Sequence, residues 1–195
     1  MLEVDRANFA PMNPYLNRPQ SINYNVTISA PHMHALALEY LKDYCTENSR
    51  VLDVGSGSGY LTCALWNLTG NKGTVIGVEH IKELCELGIN NTKKNYNLQF
   101  IINSKIKFVN LDGRDGYKYF SPYKAIHVGA AVENIPQALL DQLDKNGRMF
   151  IPVGKRGGNQ SIYIVDKDKF GRITKTPILS VIYGMLTDIH SQLYS

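Results

Sequence analysis

From residue 50 onward, short apolar runs alternate with longer segments of helical period. The apolar runs predict buried strands at 50–54, 74–78, 106–109, 123–128 and 148–153. Helices are predicted between them at 58–69, 81–95 and 136–143. Short strands that alternate with helices are typical of a mostly parallel sheet covered by helices on both faces. The pattern therefore predicts an α/β, doubly wound fold.

The amino-terminal segment has a different character. Four of the eight prolines lie within the first 31 residues, so this polar segment is predicted to be an ordered or draped loop. Ser29 is a candidate N-cap for a helix that begins near Ala30, because its hydroxyl could accept a hydrogen bond from a free backbone N–H. The apolar face of that helix would carry Ala37, Leu38 and Leu41.

The carboxyl-terminal part shows strand-like stretches with no helical segment between them. These stretches, at 161–165 and 178–183, flank the polar residues 166–172. An antiparallel edge added to the parallel sheet fits this pattern.

Composition narrows the class of protein. A chain of 195 residues predicts a single domain over 1–195, and 44% hydrophobic residues with 19% charged residues argue against disorder. No stretch approaches the ~18–20 apolar residues of a membrane span. The net charge of +4 is spread without a run of like charges, so no nucleic-acid or membrane partner is indicated.

Two further features concern the compartment. The first five residues contain no basic region leading into an apolar one, so they do not form a secretory signal, and we expect a cytoplasmic protein. Cys45, Cys63 and Cys85 are odd in number and form no C-x-x-C pair, which favours free thiols over a disulfide framework or a zinc site. We also expect a monomer.

Polar and glycine positions follow three successive strands. The stretch Asp53-Val54-Gly55-Ser56-Gly57-Ser58-Gly59 leaves the first strand and opens a helix, where glycines let a backbone approach an anionic ligand. Its G-x-G-x-G spacing is neither the dinucleotide fingerprint nor a Walker A loop. Glu79 ends the second strand, where an acidic residue can bind ribose hydroxyls, and Asp112-Gly113 follows the third.

These features resemble the class I S-adenosylmethionine-dependent methyltransferases, which implies a Rossmann-like fold and the cofactor S-adenosyl-L-methionine, with S-adenosyl-L-homocysteine as product. The fourth strand ends in His127-Val128-Gly129-Ala130-Ala131. It lacks both the Asn/Asp-Pro-Pro-aromatic motif of amino-methylating enzymes and the acidic ligand of metal-dependent O-methyltransferases. No metal is therefore expected.

A closer resemblance covers residues 4–193. The stretches Pro19-Gln20-Ser21-Ile22 and Thr27-Ile28-Ser29-Ala30-Pro31-His32-Met33-His34-Ala35 are similar to the protein-L-isoaspartate O-methyltransferase family. So are Gly113-Arg114-x-Gly116-Tyr117, Pro136-Gln137-Ala138-Leu139, Gly157-Gly158-Asn159-Gln160 and Leu186-Thr187-Asp188. The resemblance implies methylation of the α-carboxylate of L-isoaspartyl residues, and less well of D-aspartyl residues, in damaged proteins and peptides.

The family's functional residues can be carried over onto matching positions. Ser29 is the implied catalytic residue, whose hydroxyl would donate to one carboxylate oxygen and aim the other. His127 is interpreted as structural. The implied cofactor-binding residues are Val26, Thr27, Ile28, Ser29, His34, Asp53, Gly55, Gly57, Ser58, Gly59, Glu79, His80, Asp112, Gly113, Thr187 and Gln192.

Structural alternatives stay open for several of these residues. Ser29 could be only a helix cap, Glu79 only a solvated strand-end carboxylate, and Asp112-Gly113 only a turn. The family usually has a further helix before the segment that matches residues 2–15, and that helix is not seen in this sequence. A non-catalytic or differently specific protein with a cofactor-binding fold is therefore the alternative hypothesis.

Overall fold

A computed structural model describes residues 3–96, 103 and 105–194 of the domain predicted over 1–195, and the other positions lie outside the described residues. The described strands are β1 Gln20–Ser21, β2 Thr27–Ile28, β3 Arg50–Val54, β4 Thr74–Glu79, β5 Ile106–Asn110, β6 Tyr123–Val128, β7 Leu143–Gly154, β8 Gln160–Lys167 and β9 Ile173–Val181. The described α-helices are α1 Pro31–Leu41, α2 Tyr60–Leu68, α3 Lys82–Asn95, α4 Gln137–Gln142 and α5 Ile189–Tyr194.

The main sheet confirms the predicted fold class. Within the described chain it has seven strands in the order β5-β4-β3-β6-β7-β8-β9. The strands β5, β4, β3, β6 and β7 are parallel, whereas β8 is antiparallel to both of its neighbours. Chain order reverses between β3 and β6, and such a switch point is where open α/β sheets form a ligand crevice at the carboxyl ends of their strands.

The central strands are apolar because both of their faces are covered. Val51 and Val75 belong to a core cluster that includes buried residues of α1 and α2, whereas Leu52, Ile76 and Ile126 belong to the cluster on the opposite face. All five side chains are fully buried. The two-residue period of a strand thus sends successive apolar side chains into two separate cores, which holds the strand ends in fixed positions.

The amino-terminal prediction is corrected at two points. β1 and β2 form a short antiparallel pair within the segment predicted to be a loop. The predicted cap at Ser29 is wrong: α1 begins at Pro31, Ala30 takes the cap position, and no side chain caps it. A cap must directly precede the first helical residue, so Ser29 lies one residue too early. The predicted apolar face is confirmed, since Ala37, Leu38 and Leu41 are buried.

The carboxyl-terminal strands are longer than the sequence pattern suggested. Asp168 accepts the backbone N–H groups of Phe170 and Arg172, and Gly171 has a φ of 88°, so a tight turn starts β9 at Ile173 rather than at 178. The first half of β9 is polar because it lies at the exposed edge of the sheet. β7 likewise begins at 143 rather than 148, with an irregular register opposite Tyr123 and Ala125.

The two-core arrangement gives a stability prediction. Leu52→Ala should lower the free energy of unfolding by about 2–5 kcal/mol, because it leaves a cavity at a fully buried position in the sheet. Ile182→Ala, at a side chain that is 96% exposed, should change it by less than about 0.5 kcal/mol. Urea unfolding of both variants measures the difference, and equal effects would contradict the assigned core.

Candidate active site

Three connected hollows lie at the carboxyl ends of the parallel strands. The outer cleft, of about 590 Å³, is lined among others by Val26, Ala30, Met33, Val181 and Tyr183. The inner chamber is lined by Ile28, His34, Asp53, Ser56, Ser58 and His127 among others. The strand-end cavity is lined by Val78, Glu79, His80, Gly113, Leu186 and Thr187 among others. Thr27 and Gly129 line all three, so the hollows meet at these two residues.

The glycine loop after β3 leaves room for a ligand against its backbone. Gly55 and Gly57 have φ values of 75° and 52°, a region that favours glycine, and the space beyond the Gly55 Cα is open. The Ser56 hydroxyl is buried and has no hydrogen-bond partner among the described residues. A buried polar group without a partner is uncommon in a folded protein, and Ser56 is one of the residues that line the inner chamber.

Glu79 is built into the same loop. Its Oε2 accepts the Gly57 N–H and its Oε1 accepts the Ile81 N–H, each at 3.0 Å, and the residue is only 4% exposed. Burial raises the pKa of the Glu79 carboxyl, whereas these two backbone hydrogen bonds act in the opposite direction. Each carboxylate oxygen keeps further acceptor capacity, so the group can still receive two ligand hydroxyls. The alternative of a solvated strand-end carboxylate does not fit this burial.

Asp53 lies at the floor of the inner chamber. Its Oδ2 accepts the Thr62 hydroxyl at 2.6 Å, and its Oδ1 lies 2.8 Å from the Nδ1 of His127. Both Asp53 and His127 are buried, and the His127 ring stacks on Phe150. The pair therefore fixes the end of β3 to the end of β6, which agrees with the structural interpretation of His127.

Ser29 lies at the boundary between two hollows. It lines both the outer cleft and the inner chamber. Burial raises the pKa of the Tyr183 hydroxyl, and a hydrogen bond with the Ser29 side chain acts in the opposite direction. The two hydroxyls thus lie together at the inner end of the outer cleft, where both could donate to an anionic substrate.

His34 is held from behind by a charged group. Its Nδ1 lies 3.0 Å from Nη1 of Arg6, and its ring stacks on Tyr60 with a centroid separation of 5.0 Å. Burial, and then the charge of the Arg6 guanidinium, hold the pKa of His34 well below its ordinary value. The imidazole that faces the inner chamber is therefore neutral at physiological pH.

The carboxyl-terminal segment covers the strand-end cavity. Backbone hydrogen bonds of 2.7 Å join Ala131 to Gly184 and to Leu186, which places Thr187 beside the cavity. The Gln192 side chain donates to the Asn25 carbonyl at 2.9 Å. This contact joins residues 25 and 192 beside the site, and both line the outer cleft.

Comparison with known proteins gives this arrangement a family. The model of the protein-L-isoaspartate(D-aspartate) O-methyltransferase family matches residues 1–191. The chain belongs to this family. It is 46% identical to a Caenorhabditis elegans protein-L-isoaspartate O-methyltransferase over 98% of this chain and 84% of that protein. It is 44% identical to protein-L-isoaspartate O-methyltransferase 1 of Arabidopsis thaliana over 99% and 84% of the two chains.

A solved structure supports the same assignment. A Plasmodium falciparum chain described as a protein-L-isoaspartate O-methyltransferase, in complex with S-adenosyl-L-homocysteine, superposes with a TM-score of 0.87. The two chains are 34% identical, and the match covers 95% of this chain and 87% of the other. The cofactor class implied by the sequence is thereby confirmed.

Most of the cofactor-binding residues that the sequence implied for this methyltransferase line at least one of the three hollows. The exceptions are Asp112 and Gly59. The Asp112 carboxylate accepts the Arg114 backbone N–H and pairs with the Arg114 guanidinium at 2.6 Å, so Gly113 rather than Asp112 lines the cavity. Gly59 ends the glycine loop at the start of α2 and lines none of the hollows. The turn alternative for Asp112-Gly113 thus agrees with the local geometry.

The structure also identifies residues that the sequence did not single out. Ser56 lies between two motif glycines, and only the fold reveals that its hydroxyl has no partner among the described residues. Tyr183 was predicted as the last residue of an edge strand, and Arg6 lies in a polar segment without a motif. For Tyr183, the sequence offered one signal, since this residue lies close to the stretch Leu186-Thr187-Asp188.

The described residues offer neither a cluster of metal-binding side chains nor a membrane-spanning helix. They contain no group of three or more His, Cys, Asp or Glu side chains placed to hold a metal ion. They also contain no helix whose length and apolar content suit it to crossing a bilayer. All three cysteines are free and buried, and burial raises the pKa values of Cys45 and Cys63 to about 12.

The position of Glu79 yields a binding prediction for this methyltransferase. Glu79→Ala should weaken S-adenosyl-L-homocysteine binding by about tenfold or more, because hydrogen bonds to a charged group are lost and the Gly57 N–H loses its acceptor. Glu86→Ala removes the same charge from an exposed position on α3 and is the matched control. Calorimetric titration measures both, and native affinity in Glu79→Ala would contradict the assignment.

Proposed function

We propose that this chain transfers a methyl group from S-adenosyl-L-methionine to the free α-carboxylate of L-isoaspartyl residues, and less well of D-aspartyl residues, in damaged proteins and peptides. One observation carries the proposal: the two hollows on the glycine-loop side meet the outer cleft at Thr27 and Gly129, and Ser29 lies on the boundary between the inner chamber and the cleft. A methyl donor and a protein-borne acceptor can therefore meet there.

The residues on the cofactor side suit an adenosyl amino acid. Glu79 offers acceptors for ribose hydroxyls, the Ser56 hydroxyl lacks a protein partner, and the glycine loop leaves open space. Thr187 and Gln192 lie across the strand-end cavity and would close over the adenosine part. When bound, the cofactor supplies a methyl group that is activated by attachment to a sulfonium.

The acceptor needs orientation rather than a base. A carboxylate has an ordinary pKa near 4, so it is already ionised at pH 7 and can attack a methyl carbon without losing a proton. Rate then depends on alignment of oxygen, carbon and sulfur and on partial removal of water. Ser29 and Tyr183 would donate to one carboxylate oxygen and leave the other directed at the methyl group.

The outer cleft matches an anionic substrate carried on a polypeptide. Among the described residues that line it there is no Asp or Glu to repel a carboxylate, and Val26, Met33 and Leu179 supply apolar surface that removes water. The small residues Gly129 and Ala130 leave space for a peptide backbone next to the reacting group. A side chain of the substrate protein can therefore enter while the rest stays outside.

We further propose that the protein acts as a monomer in the cytoplasm. The support for the cytoplasm comes from the three cysteines, which are odd in number and form no C-x-x-C pair. Gel filtration with light scattering tests the first part, and a larger assembly would overturn it.

The deciding experiment for the activity uses paired peptides. Labelled S-adenosyl-L-methionine is incubated with the protein and a peptide containing L-isoaspartate, beside its twin containing ordinary aspartate. The proposal expects label as a base-labile methyl ester in the first peptide only. Equal labelling of both peptides would show a different specificity, and labelling of neither would favour a non-catalytic role.

The hydroxyl pair in the cleft gives a kinetic prediction. Ser29→Ala should lower turnover on the isoaspartyl peptide by about tenfold or more, because the carboxylate loses an orienting donor, and should leave cofactor affinity nearly unchanged. Tyr183→Phe should give a smaller loss of the same kind. Combining the two should cost less than the sum of the single effects if both donate to one oxygen.

The structure makes the Ser29 test easier to interpret. Since Ser29 does not cap α1, loss of its hydroxyl removes no helix cap, and stability should be retained. A parallel fall in cofactor affinity and turnover would instead place Ser29 in the cofactor site. Unchanged turnover would remove it from the mechanism.

A further inference from the structure

Arg6 is a buried cation whose charge is not balanced by a carboxylate of the described residues. It lies in a short 3₁₀ turn, Arg6–Asn8, and is only 4% exposed. Among the described residues no carboxylate forms an ion pair with it, and its Nε has no hydrogen-bond partner. A buried cation without an ion-pair partner keeps an uncompensated positive charge that acts on the groups packed around it.

The guanidinium packs directly behind the inner chamber. Nη1 lies 3.0 Å from Nδ1 of His34, Nη2 donates to the carbonyl of Ser29, and the guanidinium carbon lies 5.1 Å from the centre of the Tyr60 ring. His34, Ser29 and Tyr60 all line the inner chamber. Arg6 therefore does not line the chamber itself but contacts three residues that do.

The contact with Arg6 determines where the His34 proton lies. A guanidinium has N–H donors and no acceptor, so Nδ1 of His34 must be the acceptor of this hydrogen bond. A neutral ring then carries its proton on Nε2, which has no partner among the described residues. The chamber wall thus presents an N–H donor with a positive charge behind it.

We propose that Arg6 is a positioning residue that holds His34 as an Nε2–H donor for the α-carboxylate of the amino-acid end of the cofactor. The proposal rests on the proposed function and adds a residue to its cofactor site. The Asp53 carboxylate and the His34 ring line the inner chamber, and the Arg6 guanidinium lies behind His34. A negative group on one side and a neutral N–H donor backed by a cation on the other match the ammonium and the carboxylate of an amino acid.

The location of His34 indicates whether the carboxylate that it would bind belongs to the cofactor or to the substrate. His34 lines the inner chamber together with the glycine loop, and it does not line the outer cleft that admits the isoaspartyl side chain. The isoaspartyl carboxylate also lacks the neighbouring ammonium that Asp53 would attract. The cofactor's carboxylate is therefore the expected partner.

Binding of two ligands to the folded full-length chain tests the proposal. S-adenosyl-L-homocysteine carries the amino-acid end, whereas 5′-methylthioadenosine keeps the adenosine and lacks that end. Arg6→Met should weaken the first ligand by about tenfold or more in calorimetry and change the second by less than about twofold. Equal loss of both ligands, or loss of neither, would overturn the proposal.

A pair of variants at His34 provides the matched control. The side-chain amide of Gln reaches the position of the histidine Nε2, whereas the shorter side chain of Asn reaches that of Nδ1. His34→Gln should therefore retain more S-adenosyl-L-homocysteine affinity than His34→Asn, with both binding 5′-methylthioadenosine like the native chain. The reverse order of affinities would overturn the assignment of the donor to Nε2.

Nitrogen NMR of the native protein tests the tautomer without any variant. With ¹⁵N-labelled histidine, the ring of His34 should show an unprotonated Nδ1 and a protonated Nε2 near neutral pH, and a protonated Nδ1 would overturn the proposal. These measurements need no methyl transfer. Normal binding of both ligands by the native chain with no methylated peptide would instead count against the proposed function alone.

Discussion

The close approach of two backbone segments after β3 and β6 organises this molecule. The Gly129 N–H donates to the Val54 carbonyl at 2.8 Å, and a Cβ on Gly129 would lie 3.2 Å from the Gly55 carbonyl oxygen. Only a residue without a side chain fits comfortably between the two segments. Because Gly129 borders all three hollows, this backbone contact lies at the point where the hollows meet.

The buried charges around that contact are arranged so that most are satisfied before any ligand binds. Asp53 is held by Thr62 and His127, and Glu79 is held by two backbone N–H groups of the loops it joins. Each such carboxylate fixes a loop and still keeps acceptor capacity for a ligand. Arg6 and Ser56 differ, since polar atoms of both are buried without protein partners. Ser56 lines the inner chamber, whereas Arg6 lies behind it.

Sequence reasoning succeeded where a local pattern and the fold agree. The parallel strands were predictable because each is an apolar run covered on two faces, and the glycine loop because it follows the first of them. The prediction failed for Ile173–Pro177, where an exposed edge strand is polar on both faces and is set by pairing with β8 rather than by burial. It failed for the Ser29 cap because the first residue of α1 differs from the predicted one by a single position.

The residues of the site also divide into those that a local sequence pattern could predict and those that it could not. Glu79 and Gly113 were predictable because a parallel sheet brings its carboxyl ends to one edge, whatever the intervening sequence. Arg6 was not, because its role depends on packing against His34 and Tyr60, which lie 28 and 54 positions away in sequence. Contacts of that separation leave no periodicity in a single sequence. Asp112 shows the opposite case, since a correct position in the chain did not decide where its carboxylate would point.

The distribution of charge also fits the proposed use of hydroxyls, rather than a cation, to receive an anionic substrate. A lysine or arginine beside the reacting carboxylate would hold it in an ion pair and lower its reactivity toward a methyl carbon. Ser29 and Tyr183 can orient the carboxylate while leaving its charge largely available. Arg6 lies instead behind His34, which lines the inner chamber and not the outer cleft. Separating the fixed cation from the acceptor in this way favours methyl transfer over tight, unproductive binding of the substrate.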